Sequence, residues 1–156
     1  MALFYTVIHM MTTVAPRTRS SLFSARMDDG LIKRLKQRGR LLGQPGSRLA
    51  ERYIDEGLRM EEFPGIVFRT GPTGRRAGLL NGPDVWEIVA DIQRAVKARR
   101  DPIATVARTT NLRADQIRLA AAYYDAFPDE IDQRIREDEA MAARAARTLS
   151  GIARPR

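Results

Sequence analysis

"LFSARMDDGLIKRLKQRGRLLGQPGSRLAERYIDEGLRM", residues 22–60, decides the fold, because its periodicity changes inside one short stretch. Residues 20–27 read as a strand, since alternate side chains share a face: Phe23, Ala25 and Met27 on one, Leu22, Ser24 and Arg26 on the other. The period then becomes helical. Asp28 is placed to cap a helix to about Leu42, with Asp29 in the first turn and Leu31, Leu35 and Leu42 along one side. "GQPGS", residues 43–47, is a stop, a turn and a new start. A second helix from about Ser47 to Met60 carries Leu49, Tyr53, Ile54 and Leu58 as its apolar stripe. One strand followed by two helices cannot close a sheet alone. Two copies can: their strands pair antiparallel, four helices pack beneath, and Leu22, Ser24 and Arg26 of both chains face outward on a two-stranded ribbon. Such a ribbon fits a major groove.

The totals agree with a polyanion partner. The chain has 156 residues and a net charge of +8. Residues 1–60 hold 11 basic and 5 acidic side chains, a balance of +6; residues 61–100 hold 7 and 5, and residues 101–156 hold 9 and 9. The excess therefore sits in the N-terminal third. With no cysteine and one histidine, His9, thiolate metal sites, cysteine nucleophiles and histidine triads are not available. No catalytic constellation stands out, and neither a cofactor nor a metal is expected. "ALFYTVIHMM" is too short to span a bilayer and has no positive flank before it, so a cytoplasmic protein without membrane association is expected. Residues 1–18 read as a disordered tail, with Met1, Met10 and Met11 all candidate starts.

Beyond Pro64 the pattern changes. "GIVF" (65–68) and "RRAGLL" (75–80) read as two short strands around the turn "RTGPTG". Val85, Ile88, Val89, Ile92 and Val96 then have helical spacing. "IATVARTT" reads as a short helix, "ADQIRLAAAYYDAF" as another, ended by Pro128. A last helix, capped by Asp129 and stopped near Gly151, shows only the thin stripe Ile131, Ile135 and Leu149, so it needs a partner to be fully ordered. Trp86 and the pair Tyr123-Tyr124 read mainly as core, with one of the two tyrosines left open as exposed. "IATVARTTNLRADQIRLAA" can also be read as a DNA-binding helix-turn-helix presenting Arg113 and Arg118. The zero charge balance of the last third and the presence of Asp115 rank that below a structural or partner-binding role.

The strand "LFSARM", the helix "DDGLIKRLKQRGRLLG", the turn "QPGS" and the helix "RLAERYIDEGLRM" together resemble the ribbon-helix-helix family of bacterial repressors and antitoxins. That resemblance implies that Ser24 and Arg26 contact base edges, that Leu22 touches thymine methyls, and that Gly46, Ser47 and Arg48 hold phosphate at the second helix's N-terminus. "FPGIVFRTGPTGRRAGLLNGPDVWEIV", with "LRADQIRLAAAYYDAFPDEID", resembles the DUF433 family, small bacterial domains that combine a strand hairpin with a helix-turn-helix-like bundle. It departs from that pattern at "LNGP". The implied partner is a PIN-like ribonuclease toxin, whose carboxylate cluster Arg144, Arg147, Arg154 or Arg156 would enter.

The expected architecture is mainly α with short strands. An N-terminal ribbon-helix-helix dimerisation and DNA-binding unit (20–60) precedes a small β-hairpin plus helical-bundle, helix-turn-helix-like domain (63–128) and a C-terminal helix and tail (129–156). The expected function is a homodimeric antitoxin that represses its own operon through operator DNA. The rivals are a stand-alone ribbon-helix-helix regulator with no toxin partner and an interaction adaptor that never meets DNA.

Overall fold

The computed structural model describes residues 21–71 and 74–152. Among them are six helices and one hairpin: α1 (Asp29–Leu42), α2 (Gly46–Glu62), β1 (Ile66–Gly71), β2 (Gly74–Leu79), α3 (Val85–Lys97), α4 (Pro102–Thr110), α5 (Ala114–Ala126) and α6 (Pro128–Ile152). The mainly helical class is as expected. The hairpin lies mid-chain, after two helices. The chain divides into two compact units between Ala50 and Glu51, inside α2, and each is described by itself.

In the first unit the expected strand is absent from the single chain: residues 21–28 are neither helix nor strand, and all are exposed. A strand exists by its ladder, and one protomer supplies no second strand here. Helix α1 matches its sequence signals. The Asp28 carboxylate accepts the N–H groups of Gly30 (2.8 Å) and Leu31 (3.1 Å). Gly43 ends the helix in the left-handed region (φ 62), where its N–H donates to the Arg40 carbonyl and that of Gln44 to Gly39. Gly39 is buried where the chain doubles back, and a Cβ there would lie 2.7 Å from the Gln44 carbonyl oxygen.

The second unit carries the main core. Strands β1 and β2 pair antiparallel from Ile66↔Leu79 to Gly71↔Gly74, with β1 running on past the predicted end at Phe68, β2 at the predicted length but shifted one residue toward the turn, and Gly74 at φ 106. The turn residues 72–73 lie outside the described residues. Ile66, Ala77 and Leu79 from the hairpin join Val85, Ile88 and Val89 of α3, Val106 of α4, Ile117, Ala120 and Tyr123 of α5, and Ile131 and Ile135 of α6. Phe63, Tyr123 and Phe127 form an aromatic trio, with Phe63 edge-on to the other two.

Several details correct the sequence reading. Val96 is 55% exposed rather than part of the α3 stripe. Pro128 both ends α5 and opens α6, its missing N–H costing nothing at a first helical position, so Asp129 stands inside the helix rather than at its cap. Helix α6 runs through Gly151 to Ile152. Trp86 is half-buried against the core, Tyr123 is fully buried, and Tyr124 is half-buried with its hydroxyl donating to Asp132 (3.1 Å); neither tyrosine is exposed. Among the described residues no helix is long and apolar enough to cross a membrane.

Candidate nucleic-acid interface and the ion-pair clusters

Leu22 is 98% exposed, and Ser24 and Arg26 are exposed on the same segment just before the α1 cap. Gly46, half-buried, is the first residue of α2, followed by exposed Ser47 and Arg48. The first described intrahelical bond runs from the Leu49 N–H to the Pro45 carbonyl (3.1 Å), so Gly46, Ser47 and Arg48 occupy the turn whose N–H groups point out of the helix. Lys33, Arg34, Lys36, Arg38 and Arg40 are all exposed on α1.

What surrounds these cations is a shortage of core. Among the described residues of the first unit, Leu49 is the one large apolar side chain that is buried. Phe23 is 80% exposed, and Met27, Leu31, Leu41 and Leu42 are exposed with it. In the second unit the same holds for one stretch of α2, where Tyr53, Ile54, Leu58 and Met60 are exposed. Of the stripes read from the sequence, Leu31, Leu42, Tyr53, Ile54 and Leu58 are therefore uncovered, while Leu35 is half-buried and Leu49 buried.

Arg144 and Arg147 lie on the wholly exposed last stretch of α6, while Arg154 and Arg156 lie outside the described residues, as do residues 1–18 with His9. The structure places Arg144 and Arg147 on one helix, both exposed.

Sequence reasoning missed three ion-pair clusters, all in the second unit. The Arg75 guanidinium donates two bonds to buried Glu56, Nε to Oε1 (2.5 Å) and Nη2 to Oε2 (2.7 Å). Arg59 donates to the Tyr123 hydroxyl (2.9 Å) and to Glu130 (2.6 Å), pairs with Asp55 (2.9 Å), and stacks 4.0 Å from the Phe127 ring centre. Burial alone would lower its affinity for the proton, but the bonds to Glu130 and Tyr123 outweigh that and raise it. Burial, followed by the charge of Glu130, raises the Tyr123 phenol well above its ordinary value.

The third cluster uses the hairpin register. Arg69 and Arg76 stand directly opposite one another on β1 and β2, where like charges repel. Asp84, 3% exposed, lies between them: Arg69 Nε donates to one carboxylate oxygen (2.9 Å) and Arg76 pairs with the other. Arg69 also donates to the Gly82 carbonyl (2.6 Å). Asp84 thus heads α3 without capping it. Glu87, three residues on, accepts a backbone hydrogen bond from Asp84, yet burial, then the Asp84 charge, raises its carboxyl above the usual range. These clusters sit where only contacts distant in sequence could place them. A weak signal existed in Arg52 and Glu56 and in Asp55 and Arg59, oppositely charged and four apart on α2.

Among the described residues no group of three or more histidine, cysteine, aspartate or glutamate side chains is arranged to hold a metal ion. The chain matches no protein-family model, no curated protein and no solved structure.

Proposed function

We propose that this chain is a homodimeric DNA-binding antitoxin. In this reading residues 21–27 of two protomers pair as an antiparallel ribbon, with Leu22, Ser24 and Arg26 aimed at base edges. Gly46, Ser47 and Arg48 hold phosphate beside it. The second unit and the far end of α6 engage a PIN-like ribonuclease toxin, with Arg144 and Arg147 the described candidates for its acidic site.

One observation carries the reading. Among its described residues the first unit exposes Leu22, Phe23, Met27, Leu31, Leu41 and Leu42 while burying a single large apolar side chain, Leu49. Burying one such side chain contributes about 1.5–3 kcal/mol. A unit that forgoes that gain alone is built to take it from another chain. A second copy suits the pattern, because Phe23 and Met27 alternate with Ser24 and Arg26, so pairing covers the apolar face and turns the polar one outward. The toxin half rests on the family resemblance and on the exposed arginines of α6.

The test is a gel shift on the gene's own promoter, with sedimentation analysis of the same samples. Wild type is expected to sediment as a dimer at micromolar concentration and to prefer the promoter over a scrambled duplex. Arg26→Ala should keep the dimer and lose about 1–3 kcal/mol of that preference. A monomer, or an unaltered footprint for Arg26→Ala, refutes the ribbon. Co-purification with the product of the adjacent gene tests the toxin half; an acidic nuclease retained through gel filtration is the expected result.

A further inference from the structure

The helix-turn-helix α4–α5 carries a cation surface that the first unit does not explain. Residues 94–118 hold seven basic and two acidic side chains, a balance of +5. Division of the chain at residue 100 hides this run by splitting it between two segments. The structure shows which charges are already engaged. Arg94 pairs with Asp91, and Arg113 pairs with Asp115 (2.7 Å). Asp101 caps α4, its carboxylate accepting the Ala104 N–H (2.9 Å). That leaves Lys97, Arg99, Arg100, Arg108 and Arg118, all exposed, in the α3–α4 turn, the last turn of α4 and the start of α5.

Arg99 adds an independent sign. It ends α3 in the left-handed region (φ 54), with its N–H donating to the Val96 carbonyl and that of Arg100 to Ala95. Glycine fills such a position after α1 and asparagine does after α4. A long β-carbon-bearing cation is strained there, and the chain keeps one anyway.

We infer that this face, from Lys97 to Arg118, is a second duplex-DNA contact, one that grips phosphates rather than reading bases. The surface chemistry separates DNA from a protein partner. Protein interfaces are anchored by buried aromatic and aliphatic side chains. Two exposed apolar side chains stand near the run, Val96 (55%) next to Lys97 and Leu80 (62%) in the cleft that Arg113 and Gln116 line, and no exposed aromatic side chain adjoins them among the described residues. Five unpaired cations against two aliphatic side chains suit phosphate oxygens, which give position and affinity without sequence information. Asp125, exposed near the far end of α5, limits the contact to the helix's first turns, where the macrodipole also favours an anion. The inference goes beyond the ribbon, since it needs only unit two, and it revises the lower rank that the charge balance of the last third gave this helix pair.

The experiment compares the full chain with the triple variant Arg100→Gln/Arg108→Gln/Arg118→Gln. The control is Arg136→Gln, an exposed α6 arginine to which neither proposal assigns a contact, and slope changes are compared per charge removed. Binding to the promoter duplex and to a scrambled duplex of equal length is measured by fluorescence anisotropy across a series of KCl concentrations. The patch variant is expected to flatten the log–log salt slope by about 0.9 for each phosphate it no longer neutralises, on both duplexes. Its preference for the promoter should be retained, and the control should keep the wild-type slope. An unchanged slope in the patch variant overturns the inference, and so does equal flattening in the control. Loss of nuclease capture by the patch variant with its DNA slope intact also overturns it, assigning the face to protein. If wild type shows no promoter preference yet the patch variant alone flattens its slope, the ribbon reading fails while this one stands.

Discussion

Replacing Arg59 by methionine tests the ion-pair chemistry that secures the C-terminal half of α2 in the second unit. The substitution keeps an apolar stem of similar length and removes only the guanidinium. Five interactions go with it, the weakest a cation–π contact 5.9 Å from the Phe68 ring centre. The bond to the fully buried Tyr123 hydroxyl, charge-assisted at 2.9 Å, contributes about 1.5–3 kcal/mol. The stack over Phe127 at 4.0 Å, on a side chain 13% exposed, adds about 1 kcal/mol. The pairs with Asp55 and Glu130, whose side chains are 34% and 40% exposed, add under about 1 kcal/mol together after solvent screening. Part of the total is offset because water can reach both carboxylates. The expected loss is about 3 kcal/mol, large for a single substitution. Urea unfolding followed by the fluorescence of Trp86, the chain's single tryptophan and part of this unit, measures it. Tyr123→Phe completes a double-mutant cycle, in which a coupling of about 1–2 kcal/mol is expected. The same variant reports on alkaline pH. Because the phenol's folded value is raised, its contribution is intact below the ordinary 10 and is lost as pH rises toward the folded value. Wild type should therefore lose stability above pH 10 faster than Tyr123→Phe. A loss under about 1 kcal/mol for Arg59→Met, or additivity of the two substitutions within about 0.5 kcal/mol, refutes the reasoning.

Two further substitutions test local geometry. Glycine to alanine should have opposite signs at Gly39 and Gly57: the first meets the Gln44 carbonyl at 2.7 Å and should cost about 1–3 kcal/mol, while the second has open space in a helix interior and should gain up to about 1 kcal/mol. Thermal unfolding by circular dichroism checks both, and equal signs would mean that the α1–α2 turn is looser than the Gly39 geometry requires. Glu87→Gln should stabilise the chain at neutral pH, because burial and the neighbouring Asp84 make the wild-type charge unfavourable while an amide oxygen can still accept the Asp84 N–H. Wild type is relieved of that charge as pH falls through its raised folded value, so the advantage should shrink there and vanish below the ordinary 4.5; an advantage that persists in acid would point to packing instead.

Local signals are legible where one short stretch contains the whole cause. Asp28 and Gly43 bracket α1 because a cap and a left-handed residue act within four residues of the helix end. The hairpin is visible from its glycines, but its first strand reads too short, since its end depends on pairing with β2 rather than on either strand alone. Glu56 lies outside the apolar stripe of α2 and is 5% exposed, because Arg75, 19 positions away, covers it. No periodicity encodes that. Residues 21–27 alternate like a strand and form none in a single chain; in the proposed reading the strand that would pair with them belongs to a second copy.

The two units therefore stand differently toward concentration. The second closes its own core around Ile66, Val85, Ile117 and Tyr123 and pairs its buried carboxylates Glu56 and Asp84 with arginines of its own hairpin. Its stability belongs to one chain. Among its described residues the first holds a capped helix, one buried leucine and a row of exposed apolar side chains; if these are covered by a second copy, as proposed, its stabilisation follows protomer concentration by mass action. Under the proposed function, a DNA-facing ribbon would assemble only when enough chain is present, and occupancy of the operator would rise more steeply than the amount of protein.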